Sequence, residues 1–137
     1  MDFVKVVLDT NVIIAAFATR GLCAELFEVC LTKCEIILSE YILSEVAQKL
    51  VTKIHLPQPI VQEILQFLRE HTQIVKPEII ETSILKDKKD FPIIGTAIRG
   101  NAQFLITGDK ELLSLRKYRN MEILSLREFW KRLKEEI

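Results

Sequence analysis

Four acidic residues carry most of the chemistry this sequence offers: Asp9, Glu45, Asp90 and Asp109. Asp9 directly follows the apolar run VVL, and Asp109 closes FLITGD. Asp90 ends the charged stretch KDKKD, just before Phe91-Pro92. Glu45 comes three residues after Ile42 and one before Val46, beside an apolar stripe, so its carboxylate can point toward a sheet edge. Carboxylates that converge on one cleft repel one another and need protons or cations to coexist at neutral pH. Oxygen ligands without histidine or cysteine select Mg²⁺ or Mn²⁺. A pair of such ions can activate a water, orient a phosphodiester and stabilise the leaving oxygen. Each acid also has a plainer reading. Asp90 and Asp109 are good helix N-caps, and capping is compatible with ligation through the other oxygen. Glu45 alone reads as a surface charge. Asp9, placed straight after VVL, needs a partner or solvent. Asn11 and Thr107 read first as local turn or cap residues.

The elements that must position these side chains alternate along the chain. Val4 to Leu8 reads as a buried parallel strand. Val12 to Phe17 reads as a helix broken at Gly21, and Leu22 to Leu31 as an amphipathic one. Glu35 to Leu38 is a second strand, with Ser39 as N-cap of a helix whose stripe is Ile42, Leu43, Val46 and Leu50. A turn at Leu56-Pro57-Gln58-Pro59 precedes a helix over Ile60 to His71. Ile74-Val75 is a third strand, and residues 78–86 have no readable pattern. Ile93 to Arg99 is a helix closed by Gly100-Asn101. Phe104 to Thr107 is a strand, Glu111 to Leu115 a short helix, and Met121 to Leu124 the last strand. Ser125 caps a final helix through Trp130 and Leu133. This alternation predicts one domain over residues 1–137, a three-layer α/β/α sandwich around a mostly parallel sheet. In such sheets ligands bind beyond the carboxyl ends of the strands, where Asp9 and Asp109 fall.

Composition limits the partners. The 137 residues are 49% hydrophobic and 28% charged, with 19 basic and 19 acidic side chains. Zero net charge excludes a uniformly basic nucleic-acid binder. The charge is uneven, at −4 over residues 1–85 and +4 over residues 86–137. A basic second half can meet phosphates, although by composition alone solvated helix surface is the favoured reading. Cys23, Cys30 and Cys34 are an odd set, expected to be reduced thiols. Cys30 and Cys34 lie one helical turn apart, but His55 and His71 are isolated and complete no tetrahedral zinc site. No signal peptide or apolar run of membrane-spanning length is apparent, so the expected location is cytoplasmic.

The order of the motifs resembles the PIN-domain family of metal-dependent nucleases. VVLDTNVII is similar to the family's first motif and assigns Asp9 as a metal ligand supported by Asn11. LSEYILSEVAQKL resembles the helix carrying the family's glutamate and assigns Glu45. DKKDFPIIGTAIRGNAQFLITGDKELLSL resembles the third and fourth motifs and assigns Asp90 and Asp109, with Thr107 as a polar neighbour. Asp87 can share the third motif with Asp90. EILSLREFW resembles the closing strand and helix. The resemblance spans nearly the whole chain and is nearest to the toxins of bacterial and archaeal toxin–antitoxin pairs (VapC-like). It implies a Mg²⁺- or Mn²⁺-dependent endoribonuclease, an antitoxin protein as partner and a homodimer. One departure is Gly95, where the family usually has alanine, at a helix-propensity cost of about 1 kcal/mol.

Three other readings compete. A dehalogenase-type phosphatase resembles Asp-x-Asp after the first strand, but Asn11 occupies the second position. A receiver domain needs an adjacent acidic pair that is missing. A catalytically silent PIN fold that binds RNA or protein is the non-enzyme alternative, and loss of a carboxylate, which would favour it, is not seen. If RNA is the substrate, Lys88 and Lys89 before Asp90, and Lys110 after Asp109, are the expected phosphate contacts, with Arg99 a weaker one.

Overall fold

Val6, Val7 and Leu8 are all fully buried. Successive strand residues point to opposite faces, so this strand, β1 (Val4–Leu8), is covered on both sides. The same holds for Ile36, Ile37 and Leu38 in β2 (Cys34–Ser39). Such continuous apolar runs are what a parallel sheet between two helical layers requires. The computed structural model describes residues 4–80 and 85–136.

Helices α1 (Thr10–Ala18) and α2 (Leu22–Lys33) link β1 to β2. After β2 come α3 (Glu40–Thr52), α4 (Gln58–His71) and β3 (Gln73–Val75). A 3-10 turn, Lys88–Asp90, runs into α5 (Phe91–Arg99) and then β4 (Phe104–Ile106). The chain ends with α6 (Lys110–Leu115), β5 (Lys117–Tyr118), β6 (Met121–Leu124) and α7 (Leu126–Glu136). The sheet order is β3-β2-β1-β4-β6-β5, parallel except for the β5–β6 edge pair. The expected α/β architecture with a mostly parallel sheet is therefore the one observed.

The order reverses beside β1. The chain builds outward through β2 and β3, then returns to lay β4 on the other side. A crevice forms at such a switch point, between the carboxyl ends of β1 and β4. Register aligns those ends, with Leu8 opposite Ile106 and Ile106 opposite Leu124. Asp9 and Thr107 are therefore neighbours as soon as the strands stop, and Asp9 N–H donates to the Ile106 carbonyl at 2.9 Å.

Several boundaries differ from the sequence reading, each for a local reason. The first helix starts at Thr10 and not at Val12, because Asp9 caps it. Ser39 serves as both the last residue of β2 and the N-cap of α3, accepting from Ile42 N–H at 3.4 Å. The two-residue strand β5 is too short to leave a periodic trace; the chain returns to β6 through Arg119, at φ 55°. At the end of α5 it is Asn101 that turns left-handed (φ 55°), while Gly100 keeps φ at −86°. Gly100 is needed for space: a Cβ there would meet Ile37 Cγ2 at 2.5 Å. Ser125 and Glu128 form a reciprocal capping box on α7 at 3.2 and 3.0 Å. Of the unreadable stretch 78–86, residues 81–84 lie outside the described residues.

Candidate active site

Asp9 is buried at the switch point. One carboxylate oxygen accepts from Thr10 N–H at 2.7 Å, and the other from the Thr107 hydroxyl at 2.6 Å. Burial raises its pKa, the Thr107 and Thr10 bonds oppose the rise, and the charges of Asp109 and Glu45 add to it. Thr107 is buried as well, and its oxygen accepts from Asp109 N–H at 3.0 Å. A single hydroxyl thus fixes one carboxylate and the backbone of the next. Asp109, exposed, caps α6 by accepting from Leu112 N–H at 3.0 Å.

Glu45 reaches this cluster from α3. The Thr10 hydroxyl, buried beside Asp9, donates to Glu45 Oε1 at 2.8 Å. Tyr41, one turn earlier on the same helix, places its hydroxyl 3.4 Å from Glu45 Oε2 and 3.2 Å from the Lys89 carbonyl. Burial pushes the Tyr41 pKa up to about 12, with Glu45, Asp87 and Asp90 adding to the rise. The phenol therefore stays a neutral donor, joining α3 to the segment that carries Asp90.

Asp90 differs from the other three. It is buried, makes no side-chain cap to α5, and keeps Oδ2 without a hydrogen-bond partner among the described residues. Asp87 instead caps the 3-10 turn Lys88–Asp90, accepting from Lys89 N–H at 2.9 Å. Burial, and then the charges of Asp109, Asp87, Asp9 and Glu111, push the Asp90 pKa up to about 7. An orphaned buried carboxylate oxygen is costly, and it is the kind of atom that a cation satisfies. The surrounding donors are oxygens, the chemistry of a hard divalent ion. Among the described residues no three acidic, histidine or cysteine side chains are gathered tightly enough to cage an ion unaided. Asp9, Glu45 and Asp109 are instead held by protein donors, which limits their mutual repulsion.

The structure also places the remaining residues named from sequence. Asn11 is exposed, and its side chain accepts from Lys49 Nζ at 3.0 Å; the direct bonds to Asp9 come from Thr10 and Thr107. Lys88 and Lys89 are exposed on the turn before Asp90, and Lys110 is exposed as the first residue of α6. Arg99 bonds the Lys76 carbonyl and lies 3.7 Å from Glu78.

Sequence reasoning did not single out Thr10, Tyr41 or Glu111. Glu111 accepts from Lys86 N–H at 2.7 Å and Asp87 N–H at 3.3 Å, pinning the loop that leads to Asp90. Behind the site, the Thr96 hydroxyl donates to the Pro92 carbonyl at 2.7 Å and lies 2.8 Å from the Ser39 hydroxyl. That contact ties the middle of α5 to the N-cap of α3. Only the position of Thr10 inside LDTN and of Glu111 inside GDKELL hinted at these roles.

No curated protein matches the sequence. Solved structures that share the fold include two VapBC proteins. One is VapBC2 from Rickettsia felis bound to a DNA fragment from its promoter, at 15% identity and TM-score 0.61, covering 88% of this chain and 98% of that one. The other is VapBC-1 from nontypeable Haemophilus influenzae, at 18% identity and TM-score 0.62, covering 90% and 98%. The PIN domain model matches residues 5–111, from the first strand to just past Asp109. That span contains all four acids, and the chain belongs to the PIN domain family.

Proposed function

We propose that this PIN domain is a toxin-type endoribonuclease that hydrolyses RNA phosphodiester bonds using Mg²⁺ or Mn²⁺. The observation that carries the reading is the unpartnered, buried Oδ2 of Asp90, set among the carboxylates at the β1–β4 switch point. Asp9, Glu45, Asp90 and Asp109 are the residues that would hold the cation. When bound, it supplies charge neutralisation and an activated water for in-line attack on phosphorus.

The chain's own residues do the positioning. Thr107 fixes the Asp9 carboxylate and the Asp109 backbone together, so that the two strand ends act as one unit. Thr10 holds Glu45 against them. Asp87 shapes the turn that delivers Asp90. Asn11, through Lys49, braces the start of α1 against α3. Lys88, Lys89 and Lys110 bind the phosphates that flank the scissile one, which gives affinity without base specificity.

The two fold relatives are described as VapBC proteins, which supports an antitoxin protein as partner. The high apolar content supports a homodimer, and a monomeric mass by light scattering at micromolar concentration would remove that part of the reading. No helix among the described residues is long and apolar enough to cross a membrane.

The test is incubation of the purified protein with an RNA pool and Mn²⁺, with and without EDTA, followed by mapping of the cut sites. Metal-dependent internal cuts are expected. Binding without cleavage would favour the silent module.

A further inference from the structure

Helix α3 turns two polar rows outward at helical spacing. One is Tyr41, Glu45, Lys49 and Lys53; the other is Ser44, Gln48 and Thr52. With Lys89 from the turn before Asp90, these residues line a groove of about 530 Å³. Toward one end, beside Tyr41 and Lys89, lies Glu45, which Thr10 ties to Asp9. The other end is Lys53, at the C-terminus of α3. Three cations and one carboxylate therefore line a channel that leads away from the candidate active site. Among the described residues the ion pairs are Arg69–Glu40, Arg99–Glu78 and Arg132–Glu122, and the groove lysines take part in none of them.

Lysine at the end of a helix is common, because it complements the helix dipole and solubilises the surface. Two features go beyond that. Lys89 joins the groove from a different segment, and its carbonyl is bound by Tyr41, so the two walls are fastened together. Lys49 is half-buried and held by Asn11, a fixed charge and not a trailing one. Lys49 and Lys53 are one turn apart, about 6 Å along the helix, a separation suited to neighbouring phosphates of an extended strand.

We infer that this groove is the track for single-stranded RNA on one side of the scissile phosphate, with Lys49, Lys53 and Lys89 contacting its backbone. The inference rests on the ribonuclease reading above. It assigns phosphate contacts to residues 41–53, within the half of the chain whose net charge is negative. Charge balance along the sequence hides them, because helix α3 brings its lysines to the same place as the basic turn.

The experiment is fluorescence anisotropy with a labelled single-stranded RNA dodecamer in EDTA, across a range of salt concentrations, so that no cleavage intervenes. The double substitution Lys49→Ala/Lys53→Ala should weaken binding about tenfold at low salt. It should also lower the slope of log affinity against log salt by about 1.4, since each phosphate neutralised on a single strand contributes about 0.7. Lys49→Arg/Lys53→Arg keeps the charge and should retain both affinity and slope, which separates removal of the cations from damage to the fold. If the parent cuts RNA and the alanine variant keeps its affinity and slope, the groove assignment falls and the ribonuclease reading stands. If the parent neither binds nor cuts RNA, both fall.

Discussion

The Thr107 hydroxyl donates to Asp9 Oδ2 at 2.6 Å while its oxygen accepts from Asp109 N–H at 3.0 Å. Two acids a hundred residues apart in sequence are thereby fixed to one atom. Thr107→Val keeps the shape and removes that atom. It leaves a buried carboxylate oxygen and a backbone donor unsatisfied, at a cost of about 1–3 kcal/mol. Groups that orient ligands typically change metal affinity by about 10–100-fold. We expect Mn²⁺ affinity, measured by calorimetry, to weaken by that order in Thr107→Val and to be largely restored in Thr107→Ser. Unchanged affinity in the valine variant would detach Thr107 from the site.

Asp90 predicts how stability depends on pH. Its pKa in the folded chain is about 7, raised chiefly by burial, and that of Asp9 is raised too. An unfolded carboxylate titrates near 4. Between these values the folded state holds protons that the unfolded state has released, so stability must fall as pH rises. Glu40, Glu122 and Glu128 have lowered values, but they are surface groups whose effect is lost only below about pH 5. The metal-free melting temperature should therefore drop from about pH 5 to about pH 8. Added Mn²⁺ should recover it at the upper end by mass action. A metal-free profile that rises over this range would contradict the assignment.

Much of this arrangement was legible in the sequence. The VVL and FLI runs identify buried parallel strands, and Asp9 directly after the first and Asp109 three residues after the second must lie near their carboxyl ends. The stripe Ile42, Leu43, Val46 and Leu50 fixes which face of α3 is buried, and so which side Glu45 borders. Pairing across the sheet was not legible. Nothing local tells Thr10 that its hydroxyl will meet Glu45, or places Lys49 beside Lys89. Asn11 shows the reverse failure, since its motif points to Asp9 while its side chain bonds Lys49.

Gly95 is a case where packing overrides propensity. Alanine would favour the helix by about 1 kcal/mol. A Cβ at Gly95, however, would lie 2.2 Å from the Glu78 carbonyl oxygen, and Glu78 N–H donates to the Gly95 carbonyl at 3.0 Å. Overpacking of this kind costs about 1–3 kcal/mol, so the clash outweighs the gain. Gly95→Ala should lower the melting temperature. A variant more stable than the parent would show that segment 76–80 can move aside without cost.

The proposed activity is RNA cleavage by the acidic cluster through a bound metal. It is tested most directly by purifying the parent and Asp9→Asn in parallel and assaying both on labelled RNA with Mn²⁺. The substitution preserves size and hydrogen-bonding capacity and removes one ligand charge. Expected are an Asp9→Asn chain with the parent's circular dichroism and no cleavage, and a parent whose cleavage EDTA abolishes. Cleavage by the variant at the parent's rate would contradict the proposal.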